Sequence, residues 1–250
     1  MQWLRRLFAV ADDLIFPRHV WCMTCPELSG GEFLCLRCRE RLTALQLTEQ
    51  DGAVRSAFRY KDEVRQLVHA LKFDGVRDVV DIVAPAMAEV ATGMCLPPDT
   101  VVTWVTMPER RRLARGMDHA RLLAEALGKA QGLPVRQMLL RVKTTREQHT
   151  LRSAERRRNL VGAFRATGPV AHPVLIVDDV YTTGATMKAC TKALMDAGAT
   201  QVYGLTVARS EGHIYEVKGA DSYGLFPARM GGTGAHPRQH RGSRGDRTGP

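Results

Sequence analysis

Asp178 and Asp179 stand side by side, followed by Val180, Tyr181 and the small, hydroxyl-rich run Thr182, Thr183, Gly184, Ala185 and Thr186. Adjacent carboxylates can accept hydrogen bonds from a vicinal diol. The small residues after them let backbone N–H groups close on a phosphate, and the threonines add hydroxyl donors. The chemistry this combination serves is capture of a phosphorylated sugar. Asp-rich turns after buried strands are common in α/β proteins. What sets this one apart is the order of its parts: four apolar residues, two acids, two spacers, then T-T-G-x-T. No G-x-x-x-x-G-K-[ST] loop and no G-x-G-x-x-G occurs in the chain, which excludes a Walker site and the usual dinucleotide fingerprint.

The flanking residues explain how such a site would be positioned. Val174, Leu175, Ile176 and Val177 are apolar without alternation, the pattern of a strand buried on both faces in a parallel sheet. The acids then fall at its carboxyl end, where open α/β sheets bind ligands. Residues 185–197 read as a helix with Met187, Cys190, Ala193 and Leu194 on one stripe and Gly198 just past its end. Its N-terminus, the positive end of the helix dipole, points at the phosphate.

A second constellation lies near the N-terminus. Cys22 and Cys25 form one C-x-x-C knuckle and Cys35 and Cys38 another, nine residues on. Two knuckles that close suit a tetrahedral four-thiolate zinc site, which leaves no coordination position open for catalysis. Disulfides and a redox pair are the alternatives. A reducing compartment disfavours the first, and the second needs only one knuckle. Cys95 and Cys190 stand apart and are expected to be buried thiols.

The chain has 250 residues, enough for one α/β domain with a small appendage. Lys and Arg exceed Asp and Glu by 36 − 26 = +10, and the isoelectric point is about 9.7, so phosphates or nucleic acid are favoured partners. No apolar run approaches the roughly 20 residues that span a bilayer. The amphipathic stretch 1–16 is interrupted by Asp12 and Asp13, unlike a signal peptide. A cytoplasmic protein without membrane insertion is expected.

The other elements follow in order. Residues 54–60 alternate like a strand, and residues 62–73 carry Val64, Leu67, Val68 and Leu71 at helical spacing, closed by Lys72-Phe-Asp-Gly75. Residues 79–91 are a second helix with Pro85 as a kink or break, 101–105 a second parallel strand, and 117–130 a helix with Ala120, Leu123, Leu127 and Ala130 on one face. Between the last two lie Arg110, Arg111, Arg112, Arg115 and Gly116. A run of arginines is usually a solvated face. This one follows a strand's carboxyl end and precedes a helix, as the acidic pair does, so both turns would overlie one crevice and Arg115 and Gly116 could bind a diphosphate. The basic stretch 141–164 reads as a lid, with an exposed loop as the plain alternative. Residues 202–207 are a third strand with Arg209 just beyond, and the Gly/Arg-rich stretch 229–250 is expected to be disordered.

Taken together and in this order, the C-x-x-C pair, Leu71-Lys-Phe-Asp-Gly75, Arg115-Gly116, Thr145 to Gln148, Glu155-Arg156, Asn159-Leu160, Gly162-Ala-Phe164, Val177 to Thr186 and Gly198-Ala199 resemble the ComF family. Those are competence-associated, amidophosphoribosyltransferase-like proteins. The likeness spans about residues 15–210. It implies a type I phosphoribosyltransferase-like parallel sheet flanked by helices, with a zinc-ribbon-like module over 1–50, the main domain over 51–210 and a poorly ordered basic tail over 211–250. It implies 5-phosphoribosyl 1-diphosphate (PRPP) with Mg²⁺ as ligands and a link to DNA uptake, with single-stranded DNA or a DNA-uptake helicase as partners. Where the family usually reads V-P-V-P this chain has Val105-Thr-Met-Pro108, and where it reads R-G-F-N-Q this chain has Arg115-Gly-Met-Asp-His119. Asp118 also puts negative charge near the expected diphosphate turn.

Two classes of function follow. In a transferase, Asp178 and Asp179 hold the ribose hydroxyls, Thr182 to Thr186 the 5-phosphate and Arg115 and Gly116 the diphosphate, while Lys143 or Arg146 covers the leaving group. In a non-catalytic module the same fold senses PRPP or handles single-stranded DNA. An aromatic content of 6% gives little material for a base-stacking platform. A glutamine amidotransferase is set aside, since Gln2 and not a cysteine follows Met1.

Overall fold

The computed structural model describes residues 20–108, 112–113, 116–142 and 162–210. The N-terminal stretch, Arg110, Arg111 and Arg115, the lid with Lys143 and Arg146, and the basic tail lie outside the described residues.

A short helix α1 (Leu36–Ala44) follows the cysteine knuckles, and strand β1 (Val54–Arg59) leads into helix α2 (Asp62–His69). The last turn of α2 widens into a π-helical turn, Ala70–Asp74, ended by Gly75 at φ 69°. Next come α3 (Val79–Gly93), β2 (Val101–Trp104), α4 (His119–Gln131), the short strands β3 (Leu139–Arg141) and β4 (Phe164–Ala166), β5 (Val174–Tyr181), α5 (Ala185–Asp196) and β6 (Val202–Arg209).

The main sheet has the order β1-β6-β5-β2, every neighbouring pair parallel. β5 therefore lies between two partners, as its unbroken apolar run requires. Because strand side chains alternate, Leu175 and Val177 enter the core shared with α2, α3 and α4, and Val174 and Ile176 enter the core shared with α5, β3 and β4. One face carries three helices and the other carries one helix and the antiparallel β3–β4 pair.

The cysteine segment is fastened to the open edge of this sheet. Leu47 N–H donates to Ala57 O at 2.9 Å and Arg59 N–H to Leu45 O at 2.8 Å, so residues 45–47 cover β1, which would otherwise present unpaired backbone groups. Cys22, Leu34, Cys38 and Leu42 join the core that holds Ala57 and Phe58. Arg41 adds an ion pair at 2.8 Å to the buried carboxylate of Glu63 on α2.

Several expectations need correction. β5 does not stop at Val177: pairing with β6 continues to Tyr181 opposite Arg209, so the acids lie inside the strand and Arg209 ends β6 instead of following it. α4 starts at His119 because Asp118 caps it, and its buried stripe takes in Ala124 and Gly128 while Ala130 is exposed. Pro85 sits inside α3 without ending it. Cys190 is buried, but Cys95 is exposed in a turn at φ 49°, where a helix end leaves it no apolar cover. α1 was not expected, since its apolar positions are few. Among the described residues no helix is long and apolar enough to cross a membrane.

One glycine sets where α4 packs. A helix-interior glycine ordinarily gains about 0.5–1 kcal/mol on replacement by alanine. At Gly128 an added Cβ would collide with Val135 Cγ2 and lie 3.0 Å from Leu133 O. Gly128→Ala should instead destabilise by about 1–3 kcal/mol, seen as a lowered Tm. A raised Tm would contradict the close approach of residues 133–135 to this helix.

Candidate functional site

Consecutive residues of a strand face opposite sides of its sheet. Asp179 therefore shares the side of Leu175 and Val177, facing α2 and α4, and Asp178 shares the side of Val174 and Ile176. The side chains confirm the division. Asp179 is buried, 6% exposed, and its two oxygens accept from different side chains: Lys72 Nζ donates to Oδ1 at 2.8 Å and His119 Nε2 to Oδ2 at 2.7 Å. Burial alone would raise this carboxyl, yet the hydrogen bond from His119 and the charge of Lys72 hold it below the ordinary range. Asp178 is half-buried and accepts the Asp179 backbone N–H at 2.9 Å through Oδ1. Burial first, and then the charge of Asp179, push it up to about 8.

Both donors are aimed by local structure. The π-helical turn carries Leu71 into the core while Lys72 leaves at the next position toward Asp179. The turn closes with Val76 N–H on Ala70 O at 3.2 Å. His119 is the first residue of α4, whose start is fixed by Asp118. Its Oδ1 accepts Arg121 N–H at 3.3 Å, and its Oδ2 accepts the indole N–H of Trp104 at 3.1 Å. Trp104 lies on β2 directly opposite Val177. The charge of Asp118 is thus engaged in capping and indole binding. His119 Nδ1 and Thr106 Oγ1, at positions where the sequence departs from the usual family pattern, are buried with no hydrogen-bond partner among the described residues.

The turn after β5 has the build expected of a phosphate cradle. Gly184 caps α5 at φ 70°, and a Cβ there would collide with the hydroxyl of Tyr181 and lie 2.8 Å from its Cζ. Only glycine fits. Thr183 Oγ1 accepts Ala185 N–H at 3.4 Å, Thr182 is exposed, and Val180, Thr183, Ala185 and Thr186 are half-buried. The guanidinium of Arg209 lies 5.1 Å from the Tyr181 ring centre, braced by a 2.9 Å bond from Nη2 to Val54 O. The Gly116 turn, at φ 68°, adjoins this end of the sheet: Met117 Sδ lies 3.8 Å from where a Gly75 Cβ would stand.

One strand, turn and helix thus bring residues 178–186 together, and the contact of His119 with Asp179 brings the Gly116 turn to them. Residue types alone did not single out Lys72, His119 or Trp104. Lys72 read only as part of a helix ending, and His119 only as a departure from a pattern. The usable signal for Lys72 was a long cation one residue past a buried apolar stripe, at a turn.

The four cysteines form a separate centre. The Sγ atoms of Cys22, Cys25, Cys35 and Cys38 all lie within 4.8 Å of one another, with Cys25 and Cys35 at 3.6 Å, and all are free thiols. A tetrahedron with metal–sulfur bonds of about 2.3 Å has sulfurs about 3.8 Å apart, so the cluster fits one metal ion. Against its burial, the Thr24 hydroxyl and the backbone amides of Cys35 and Thr24 bring Cys22 down to about 6, while burial pushes Cys38 up to about 12. Without a cation, the crowded thiols cannot all ionise.

No protein-family model matches the chain. It is similar to DNA utilization protein YhgH of Salmonella typhi, 36% identical over 151 residues, 57% of this chain and 66% of that protein's length. It is similar to competence protein ComFC of Bacillus subtilis (strain 168), 22% identical over 193 residues, 76% of this chain and 78% of that one. Competence protein F of Haemophilus influenzae is 37% identical over 105 residues, 39% of this chain and 46% of that one. Among solved structures, the glutamine PRPP amidotransferase of B. subtilis complexed with ADP and GMP gives a TM-score of 0.38 at 20% identity, over 56% of this chain and 30% of that one. Adenine phosphoribosyl transferase of Trypanosoma brucei gives 0.38 at 10% identity, over 78% and 96%. Scores of that size carry no functional inference. The sequence relationships agree with the ordered motifs, and the chain is a homologue of the competence proteins ComFC and F and of the DNA utilization proteins YhgH, as its resemblance to the ComF family implies.

Proposed function

We propose that the chain is a PRPP-binding, phosphoribosyltransferase-like protein whose site lies at the carboxyl end of β5. The observation that supports this best is the strand–turn–helix unit itself: two acids inside the second half of the strand, a glycine turn closed by Tyr181, and the start of α5 just beyond it. The acidic pair of Asp178 and Asp179 marks the ribose subsite, and residues 182–186 serve the 5-phosphate through backbone N–H and threonine hydroxyls. Arg115 and Gly116 would hold the diphosphate, and Mg²⁺, when bound with it, would supply charge compensation there. In transfer the bond from ribose C1 to the diphosphate oxygen breaks, both electrons leave with the oxygen, and an acceptor nucleophile bonds to C1. The protein's share is positioning and electrostatic stabilisation. Zinc at Cys22, Cys25, Cys35 and Cys38 holds the 1–50 segment on the 51–210 body, in the cytoplasm.

A second reading, a non-catalytic module that senses PRPP or handles single-stranded DNA, is favoured by the formal charge of +10 and by the competence-named relatives. Binding through arginines on phosphates should weaken steeply as salt rises. If Arg112 and the arginines at 110, 111 and 156–158 serve both ligands, PRPP should displace a single-stranded oligonucleotide. A chain lacking 229–250 should keep PRPP affinity and lose only part of its DNA affinity. Complete loss of DNA binding on truncation would remove the DNA-handling reading.

Above pH 8, where Asp178 is ionised, Asp178→Asn should weaken Mg·PRPP binding at least about tenfold by calorimetry, since a charged hydrogen bond contributes about 1.5–3 kcal/mol. Unchanged affinity would contradict the site. The same variant carries a stability signature. Folding raises the Asp178 pKa from about 4 to about 8, so between those pH values the native state holds a proton the unfolded state has lost. Stability from this group is complete below pH 4 and falls until about pH 8. The Tm of Asp178→Asn relative to the parent should therefore climb across that window and then level off. A flat difference would contradict the burial of Asp178.

Protein purified under reducing conditions should carry close to one zinc per chain by elemental analysis. Cys22→Ser should lower both metal content and Tm, because a structural metal contributes folding free energy. A metal-free chain of unchanged Tm would contradict the zinc assignment.

A further inference from the structure

The two acids differ in what surrounds them. Asp179 already accepts a hydrogen bond on each oxygen, at 2.8 and 2.7 Å, and is buried between the π-helical turn and the start of α4. With both oxygens engaged and 6% exposed, it presents less to a ligand hydroxyl than the half-buried Asp178 does. Asp178, on the opposite side of the strand, uses Oδ1 for a backbone amide, and among the described residues no cation pairs with it. Two independent devices deliver the donors. One is a widened helical turn ended by a left-handed glycine. The other is a helix whose capping aspartate is itself held by Trp104 from the neighbouring strand. Such construction around a buried carboxylate is what an anchor needs.

We infer that the acidic pair is divided between two roles, in which Asp179 is a positioning residue, clamped as an anion by Lys72 and His119, and Asp178 alone of the two meets the hydroxyls of the sugar. This rests on the PRPP reading of the site and refines it. The clamp ties β5 to the helical layer at the residue next to Asp178, and so sets where that carboxylate stands. His119 acts by donating from Nε2, a bond that a glutamine side chain can also supply, whereas Lys72 supplies the compensating charge.

The test is a mutant cycle read in two ways, Mg·PRPP affinity by calorimetry and Tm. Lys72→Met and Asp179→Asn should each weaken PRPP binding about tenfold and lower Tm, consistent with loss of one charged hydrogen bond. In the Asp179→Asn background, Lys72→Met should cost little more in either measure, because its partner has gone. His119→Ala should behave like Lys72→Met, and His119→Gln should retain affinity within about threefold. Asp178→Asn should lose affinity with no fall in Tm. Additive affinity losses for Lys72→Met and Asp179→Asn would put Lys72 on the ligand and overturn the clamp, as would Lys72→Met with parental affinity. If the parent chain binds no PRPP, the proposed ligand falls, and the Tm cycle decides the clamp by itself: non-additive losses support it and additive losses overturn it.

Discussion

A buried carboxylate must be compensated where it stands, and the partners of Asp179 come from two other parts of the chain. Lys72 comes from the end of α2 and His119 from the start of α4, and both meet the middle of β5. A buried charge stripped of either partner is costly, whereas the intact set fixes geometry more than it adds stability. The constraint therefore works as a register pin. It sets the position of two helices relative to the sheet near the carboxyl end of β5, and it explains why the π-helical turn, the Asp118 cap and the Trp104 indole bond occur where they do. Each delivers or braces one member of the set.

The rest of the fold follows from burial on two faces. β5 and β6 alternate their side chains between two cores, and the helices on either side close them. The cysteine segment has a separate structural role, covering the exposed edge of β1 with residues 45–47 and packing Leu34 and Leu42 against the same core. Metal there would hold the cover closed at a distance from the acidic pair.

Much of this was legible from residue types. The run of four apolar residues located the central strand, the T-G-x-T run located the glycine turn after it, and two close C-x-x-C knuckles located the cysteine cluster, because each pattern has one dominant physical cause. Gly198 ended α5 as its position required. What stayed hidden depended on contacts between elements distant in sequence. Nothing local to Lys72 says that it meets Asp179, since the π-helical widening that turns it inward comes from packing. His119 looked like a substitution in a turn, and Asp118 like stray charge, until Trp104 was placed beside them. Cys95 was misjudged because composition does not reveal a helix end, and the acids were placed past the strand because pairing with β6 outlasts the apolar run.

The central claim is that the end of β5 receives a phosphorylated ribose. The most direct measurement is a ¹H–¹⁵N NMR titration of the full chain with ribose 5-phosphate and then with Mg·PRPP. The account predicts saturable amide shifts concentrated at Thr182 to Thr186 with both ligands, and at Gly116 with PRPP only. Shifts scattered over surface arginines and their neighbours, with the Thr182 to Thr186 amides unmoved, would contradict it.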